Sequence, residues 1–139
     1  MHWAIEHIGK PWVSGARGGD TFDCWGLVFH VYKTVLKIDL PQLPGLDARN
    51  YLRVARVIKD QDTFDFVDAP KEFDVVLLGR SSQCNHVGIY TEAQGGGVVH
   101  CEDGAGVVFV SIPQLRAQNF NNVSFIRHAK MLTPQKSSQ

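Results

Sequence analysis

Between Cys24 and Leu36 the apolar residues recur at helical intervals: Cys24, Leu27, Val28, Val31, Tyr32, Val35 and Leu36 fall at i, i+3, i+4 and i+7. A run of that period must bury one face, so it demands a helix laid against a core. What precedes it has the opposite texture. Ser14-Gly15-Ala16-Arg17-Gly18-Gly19 supplies three glycines, which open backbone angles closed to other residues and allow close approach to a ligand. Asp20-Thr21-Phe22-Asp23 then leads straight into the cysteine. Cys24 is therefore expected in the first turn of a buried helix, where unpaired N–H groups and the positive end of the helix dipole favour thiolate over thiol.

On either side of this run the chain divides into two textures. Residues 2–8 read as a short amphipathic helix stopped by Gly9 and Lys10-Pro11, and the Cys24 helix reads to about Lys37. Asp47 is a fair cap for a further helix carrying Tyr51, Val54, Ala55 and Ile58, and residues 60–72 read as polar and irregular. From Phe73 onward short β-branched runs are bounded by glycine, asparagine or proline: 73–78, 85–91, 97–102, 106–112 and 123–128. They predict an antiparallel meander, so the fold class is α+β, with N-terminal helices packed on a five- to six-stranded antiparallel sheet. Residues 1–130 form the expected single domain, and residues 131–139 a polar tail with nothing to bury.

Composition narrows the function. A chain of 139 residues buries roughly two-thirds of its unfolded surface, enough for a core without disulfide staples. Lysine and arginine balance aspartate and glutamate at 14 each, which leaves no basic field to hold nucleic acid. Three cysteines are too few, and odd in number, for a disulfide framework. No run approaches the roughly 18 apolar residues of a membrane span, and the N-terminus has no signal-peptide pattern, so neither membrane insertion nor standard export is expected.

Two histidines complete the chemistry. His86 falls in the second predicted strand and His100 in the third, joined through Glu92-Ala93-Gln94-Gly95-Gly96-Gly97. In the register that sets them opposite each other they share a face, with Cβ atoms roughly 5 Å apart, whereas a slip of one residue would separate them. Gly88, on the same face, leaves room for another backbone such as the end of the Cys24 helix. A thiol at a helix start, an imidazole to take its proton and a polar group to fix that imidazole form an activated nucleophile, drawn as a Cys24 thiolate–His86 imidazolium pair with His100 at the far ring nitrogen. The reaction class is acyl transfer, most simply amide hydrolysis through a thioester, with helix-start N–H groups stabilising the oxyanion. His2, His7, His30 and His128 read as ordinary surface or core histidines. A zinc site from Cys84, His86, His100 and Cys101 is disfavoured because neighbours on a strand point to opposite faces.

At these residues the chain resembles the NlpC-type cell-wall peptidases, papain-like cysteine peptidases of peptidoglycan stem peptides. The resemblance runs through Gly9-Lys10-Pro11-Trp12, Phe22-Asp23-Cys24-Trp25-Gly26-Leu27-Val28, Phe73-Asp74-Val75-Val76-Leu77, His86-Val87-Gly88-Ile89-Tyr90 and Val98-Val99-His100. It implies Cys24 as nucleophile, His86 as general base and His100 as the orienting third residue, with Trp12, Asp23 and Trp25 in the substrate and oxyanion positions. The implied substrate bond joins D-glutamate to a diamino acid, and no cofactor is expected. Trp12 stands where many members have tyrosine, and Asp-Cys-Trp-Gly replaces their Asp-Cys-Ser-Gly. With the predicted helix between residues 46 and 60, this form resembles the subgroup found in phage tails. Its implied partners are other tail proteins, and its implied place is the virion tail, acting in the host cell wall or periplasm. A muramoyl–alanine amidase, an acyltransferase and a catalytically silent tail-tip binding module are the alternatives on the same fold.

Overall fold

The computed structural model describes residues 2–42, 63–80 and 86–132. The helix expected from Asp47 and the tail from Thr133 lie outside the described residues. The chain opens with a single helical turn, α1 (Trp3–Glu6), capped by His2, whose ring accepts the Ala4 N–H at 3.0 Å. A glycine-rich hairpin of two short strands, β1 (Arg17–Gly18) and β2 (Thr21–Phe22), then delivers the chain to α2 (Cys24–Val31). That helix widens into a π-helical turn over Tyr32–Leu36 and closes on Lys37 in the left-handed region, at φ 60°. The predicted boundaries of this long element are thus met, although it is not α-helical throughout.

Six antiparallel strands form the sheet, in spatial order β3-β8-β4-β5-β6-β7. They are β3 (Phe64–Val67), β4 (Val75–Gly79), β5 (His86–Thr91), β6 (Gly97–Glu102), β7 (Gly106–Ser111) and β8 (Asn122–His128). Strands β4 to β7 are the expected meander. Contrary to that expectation, β8 returns to lie between β3 and β4, so the sheet as a whole is not a simple meander. Strand β3 falls in the segment read as irregular. It is a four-residue strand whose Phe64 is buried while Phe66 is 60% exposed, and among the described residues its strand partner is β8, far along the chain. Arg127 ties β8 to the start of β4 by a fork onto Asp74, at 2.9 Å from Nε and 2.7 Å from Nη2.

The sheet is covered on both faces. On one, Val75, Leu77, Val87, Ile89, Val99, Cys101 and Ile126 pack with Leu27, Val28 and Val31 of α2. On the other, Val76, Leu78, Val98 and Val110 pack with Leu115 and Phe120. Leu115 belongs to α3 (Ile112–Ala117), which starts from a reciprocal capping box between Ser111 and Gln114. A last turn, α4 (Ala129–Leu132), follows β8. Among the described residues no helix is long and apolar enough to cross a membrane.

Candidate active site

Cys24 occupies the first position of α2 because Asp23 stops the extended chain and caps the helix. Its Oδ1 accepts the Gly26 N–H at 2.6 Å, and its backbone carbonyl accepts the Leu27 N–H at 3.1 Å. These two contacts engage the third and fourth N–H groups of the helix, and those of Cys24 and Trp25 stand ahead of them at the helix start. Gly26 is required by packing: a Cβ there would run into the carbonyl oxygen of Ala16. Helix α2 lies across β5 and β6, the two strands that carry the predicted histidines. Cys24 itself is buried.

His86 and His100 are brought together. Nε2 of His86 lies 2.9 Å from Nδ1 of His100, with the rings nearly perpendicular and their centroids 4.9 Å apart. The pairing differs from the expected one, since Ile89 faces Val99 and Tyr90 faces Val98, a register that carried onward sets His100 across from Gly88. The two histidines are diagonal neighbours on one face rather than opposed, and their rings span the offset. Gly88 makes room for β6 and not for the α2 helix, because a Cβ there would sit 3.0 Å from the His100 Cβ and 2.9 Å from the Val99 carbonyl oxygen. Strand alternation places this face away from α2: the rings pack against Phe120, which is stacked at 14° to His86 and edge-on to His100. A thiol–imidazole encounter must therefore take place round the end of the sheet, where β5 begins at His86, and not through its face.

The surroundings keep both rings neutral. Burial pushes His86 well below the ordinary histidine value, with the neighbouring His100 and Arg80 adding to it. His100 is lowered to about 4, chiefly by burial, with Glu102 opposing and Arg80 assisting. The expected resting thiolate–imidazolium pair is thus disfavoured here, because a buried imidazolium lacks hydration. Because Nε2 of His86 faces His100, a thiol can address this ring only through Nδ1. The tautomer with a bare Nδ1 puts the proton on Nε2, donating to His100 Nδ1. His100 then carries its own proton on Nε2, a buried atom with no hydrogen-bond partner among the described residues.

The remaining predicted residues divide. Trp12 is half-buried, bridges to Phe22, and lines an open recess of about 290 Å³ with Gly9, Pro11 and Gly104-Ala105-Gly106. Asp23 and Trp25 do not have the side-chain roles expected of them. The Asp23 carboxylate is fully buried, committed to the cap, to the Gly15 N–H and to Arg17 at 2.7 Å, so it positions the helix and does not face substrate. The Trp25 side chain is also fully buried, with its indole N–H donating to the Pro41 carbonyl at 2.8 Å, which makes it core. Arg17, Arg80, Glu102 and Phe120 were not singled out in the sequence. Arg17 lies in the glycine-rich loop read only for its backbone, and the other three sit on segments joined by the sheet alone. His2 caps α1, while His7 and His128 are buried structural residues. His100 and Cys101 point to opposite faces, and the Cys101 thiol donates to the Phe22 carbonyl at 3.3 Å. Among the described residues no group of three histidine, cysteine or acidic side chains could hold a metal ion, and Cys84 lies outside them.

Against known proteins, the sequence pattern of the NlpC/P60 family matches residues 9–129. The chain belongs to the NlpC/P60 family. Over 100 residues this NlpC/P60 chain is 32% identical to a protein of Listeria grayi named probable endopeptidase p60, a match covering 72% of this chain and 17% of that one. Over 94 residues it is 33% identical to the murein DD-endopeptidase MepH of Escherichia coli strain K12, covering 65% of this chain and 31% of that one. It therefore spans less than a third of the length of either curated relative. Its fold superposes on the NlpC/p60 domain of the peptidoglycan hydrolase SagA with a TM-score of 0.57 at 25% identity, over 88% of this chain and 92% of that one. A Staphylococcus aureus Mu50 protein described as similar to a lipoprotein of the NLP/P60 family gives 0.56 at 22% identity, over 88% and 38%, and speaks for the fold alone. The α+β architecture with its six-stranded antiparallel sheet is the papain-like fold of these NlpC/P60 domains.

Proposed function

We propose that this NlpC/P60 domain is a cysteine peptidase of peptidoglycan stem peptides, with Cys24 as nucleophile, His86 as general base and His100 as the residue that orients it. The observation that carries the reading is the buried 2.9 Å contact between His86 Nε2 and His100 Nδ1, on strands across which the Cys24 helix packs. In the first step the Cys24 sulfur attacks the peptide carbonyl carbon while its proton passes to His86 Nδ1. His86 Nε2–H keeps donating to His100, which steadies the imidazolium as it forms. The oxyanion meets the N–H groups of Cys24 and Trp25, with the Trp12 indole taking the place of the usual tyrosine hydroxyl. The imidazolium proton then goes to the leaving amine, the C–N bond breaks, and a thioester remains. Water attacks it, giving its proton to His86 and releasing the acid and the thiol. Cys24 is buried, so this mechanism requires its sulfur to become accessible to substrate.

The bond we assign is that between D-glutamate and a diamino acid. The name of the E. coli relative points instead to a D,D bond, so a cross-linked muropeptide belongs beside the simple stem peptide in the assay. Mass spectrometry should find a new D-glutamyl terminus, and Cys24→Ala should give none. A freed muramoyl lactyl group would mean an amidase, and an adduct would mean a transferase. A catalytically silent binding module is the second reading, favoured by the burial of Cys24; a folded wild-type protein inert toward every muropeptide would establish it. For delivery we propose a phage tail, acting with other tail proteins on the host wall, a reading supported by the Asp-Cys-Trp-Gly sequence. Purified virions containing the chain would bear this out, and their lacking it would reject it.

A further inference from the structure

Above the imidazole pair lies a second, charged layer that the peptidase mechanism does not use. Arg80, just past the end of β4, lays its guanidinium 4.0 Å over the Phe120 ring, the same ring that stacks on His86 and meets His100 edge-on. It is held there by the Gln118 carbonyl, which accepts from its Nε at 3.0 Å, and by Glu102, whose Oε2 accepts from its Nη1 at 3.1 Å. Glu102 lies two residues beyond His100 on β6, so strand alternation sends both side chains to the same face. On that face the His100 Nε2 is buried without a hydrogen-bond partner among the described residues, and Oε1 of Glu102 makes no hydrogen bond among them. A positive and a negative group thus converge on one buried pair of rings from two strands.

We propose that the Arg80–Glu102 ion pair, seated on Phe120, is a positioning element that sets the charge state and tautomer of the His86–His100 pair. Arg80 opposes imidazolium formation and so keeps His86 a bare base. Glu102 favours the His100 tautomer protonated at Nε2, the one that leaves Nδ1 to accept from His86. Among the described residues, the other groups packed against the rings do not supply this control. Phe120 and Leu115 are uncharged, Arg116 of α3 is exposed, Tyr90 lies farther along the β5 face, and Cys24 opens the helix on the other side of the sheet. The opposing effects of Arg80 and Glu102 on His100 agree with this arrangement. That the rings serve as base and orienter rests on the function proposed above. Their control by charge does not.

Two variants test it because they break the same ion pair from opposite ends. Arg80→Gln removes the cation and Glu102→Gln removes the anion, so a purely structural bridge would be lost equally in both. Histidine ring resonances followed by NMR against pH should show the pair more readily protonated in Arg80→Gln and less readily protonated in Glu102→Gln. The shifts should be roughly half a unit or more in opposite directions, as expected of a charge a few ångströms from a buried ring. Arg80→Lys should stay near wild type, and the Arg80→Gln/Glu102→Gln double variant should fall between the singles. The acidic limb of kcat/KM on stem peptide should move in the same directions. Shifts of the same sign in both single variants, or none in either, would overturn the proposal. If one single variant does not fold, the other and the double variant decide it. The NMR titration reads out even if the protein cleaves no muropeptide, so failure of the proposed function and failure of this inference are separable.

Discussion

Replacing Asp23 by alanine tests whether the start of the Cys24 helix is held as described. The substitution removes the cap on Gly26, worth about 1 kcal/mol. It also removes the carboxylate that faces Arg17 in a pair whose side chains are 1% and 14% exposed. Breaking one side of a buried ion pair costs about 3 to 5 kcal/mol. Arg17 also donates to the Gln42 and Ala16 carbonyls, which keeps part of its hydrogen bonding and places the expected total near the lower end, about 3 to 4 kcal/mol. For a chain of this size that is a fall in Tm of about 10 to 15 °C. Asp23→Asn keeps an oxygen for the Gly26 N–H and loses only the charge, so it should cost about half as much. Urea unfolding followed by circular dichroism measures both. Asp23→Ala within 1 kcal/mol of wild type would refute the capping argument, as would an Asn variant as unstable as the Ala variant. Catalysis provides a second reading: the lost cap frays the turn that carries Cys24, so kcat/KM should fall by more than the folded fraction does.

Three further outcomes follow from the same geometry. His100 titrates near 6.5 when unfolded and at about 4 in the fold, so between those values the unfolded chain binds more protons. Its contribution is therefore whole above pH 6.5 and lost as pH falls toward 4, on the order of 2 to 3 kcal/mol, and His100→Asn should flatten Tm against pH in that window. Gly26→Ala should unfold the domain or cost more than about 2 kcal/mol in urea, because its Cβ meets the Ala16 carbonyl and lies 3.0 Å from Asp23 Oδ1; a variant as stable as wild type would contradict that contact. The Cys101 thiol is pushed up to about 12 by burial, with Asp23 adding to it, so mass spectrometry should find it unalkylated in the native protein and labelled once urea unfolds the chain.

The strands that were legible in the sequence are those whose apolar alternation is local. Strands β4 to β7 were found to within two residues, and β6 to the residue, because each carries its own hydrophobic signal between glycine or asparagine breaks. Strand β3 was missed because its place depends on β8, with which it pairs at positions such as Phe66 and Ile126. The sequence put His86 and His100 on one face only in a register of the right parity; the pairing of β5 with β6 decided both that parity and the offset between them. Trp25 was placed near substrate on family resemblance, and its indole instead answers a carbonyl 16 residues away at Pro41. Arg80, Glu102 and Phe120 offered no motif at all, for a lone arginine, glutamate or phenylalanine acquires its role only from its neighbours in space.

By itself the sequence determined that a cysteine opens a buried helix, that a glycine-rich loop leads into it, and that two histidines lie on neighbouring strands of an α+β domain. Periodicity and backbone freedom are properties of short stretches of chain, so they survive without knowledge of the fold. The tertiary structure alone decided that the imidazole rings meet Nε2 to Nδ1, that they face Phe120 and not α2, and that Arg80 and Glu102 close over them. Register, side of the sheet and local charge arise from contacts between segments distant in sequence, and those exist only once the chain has folded.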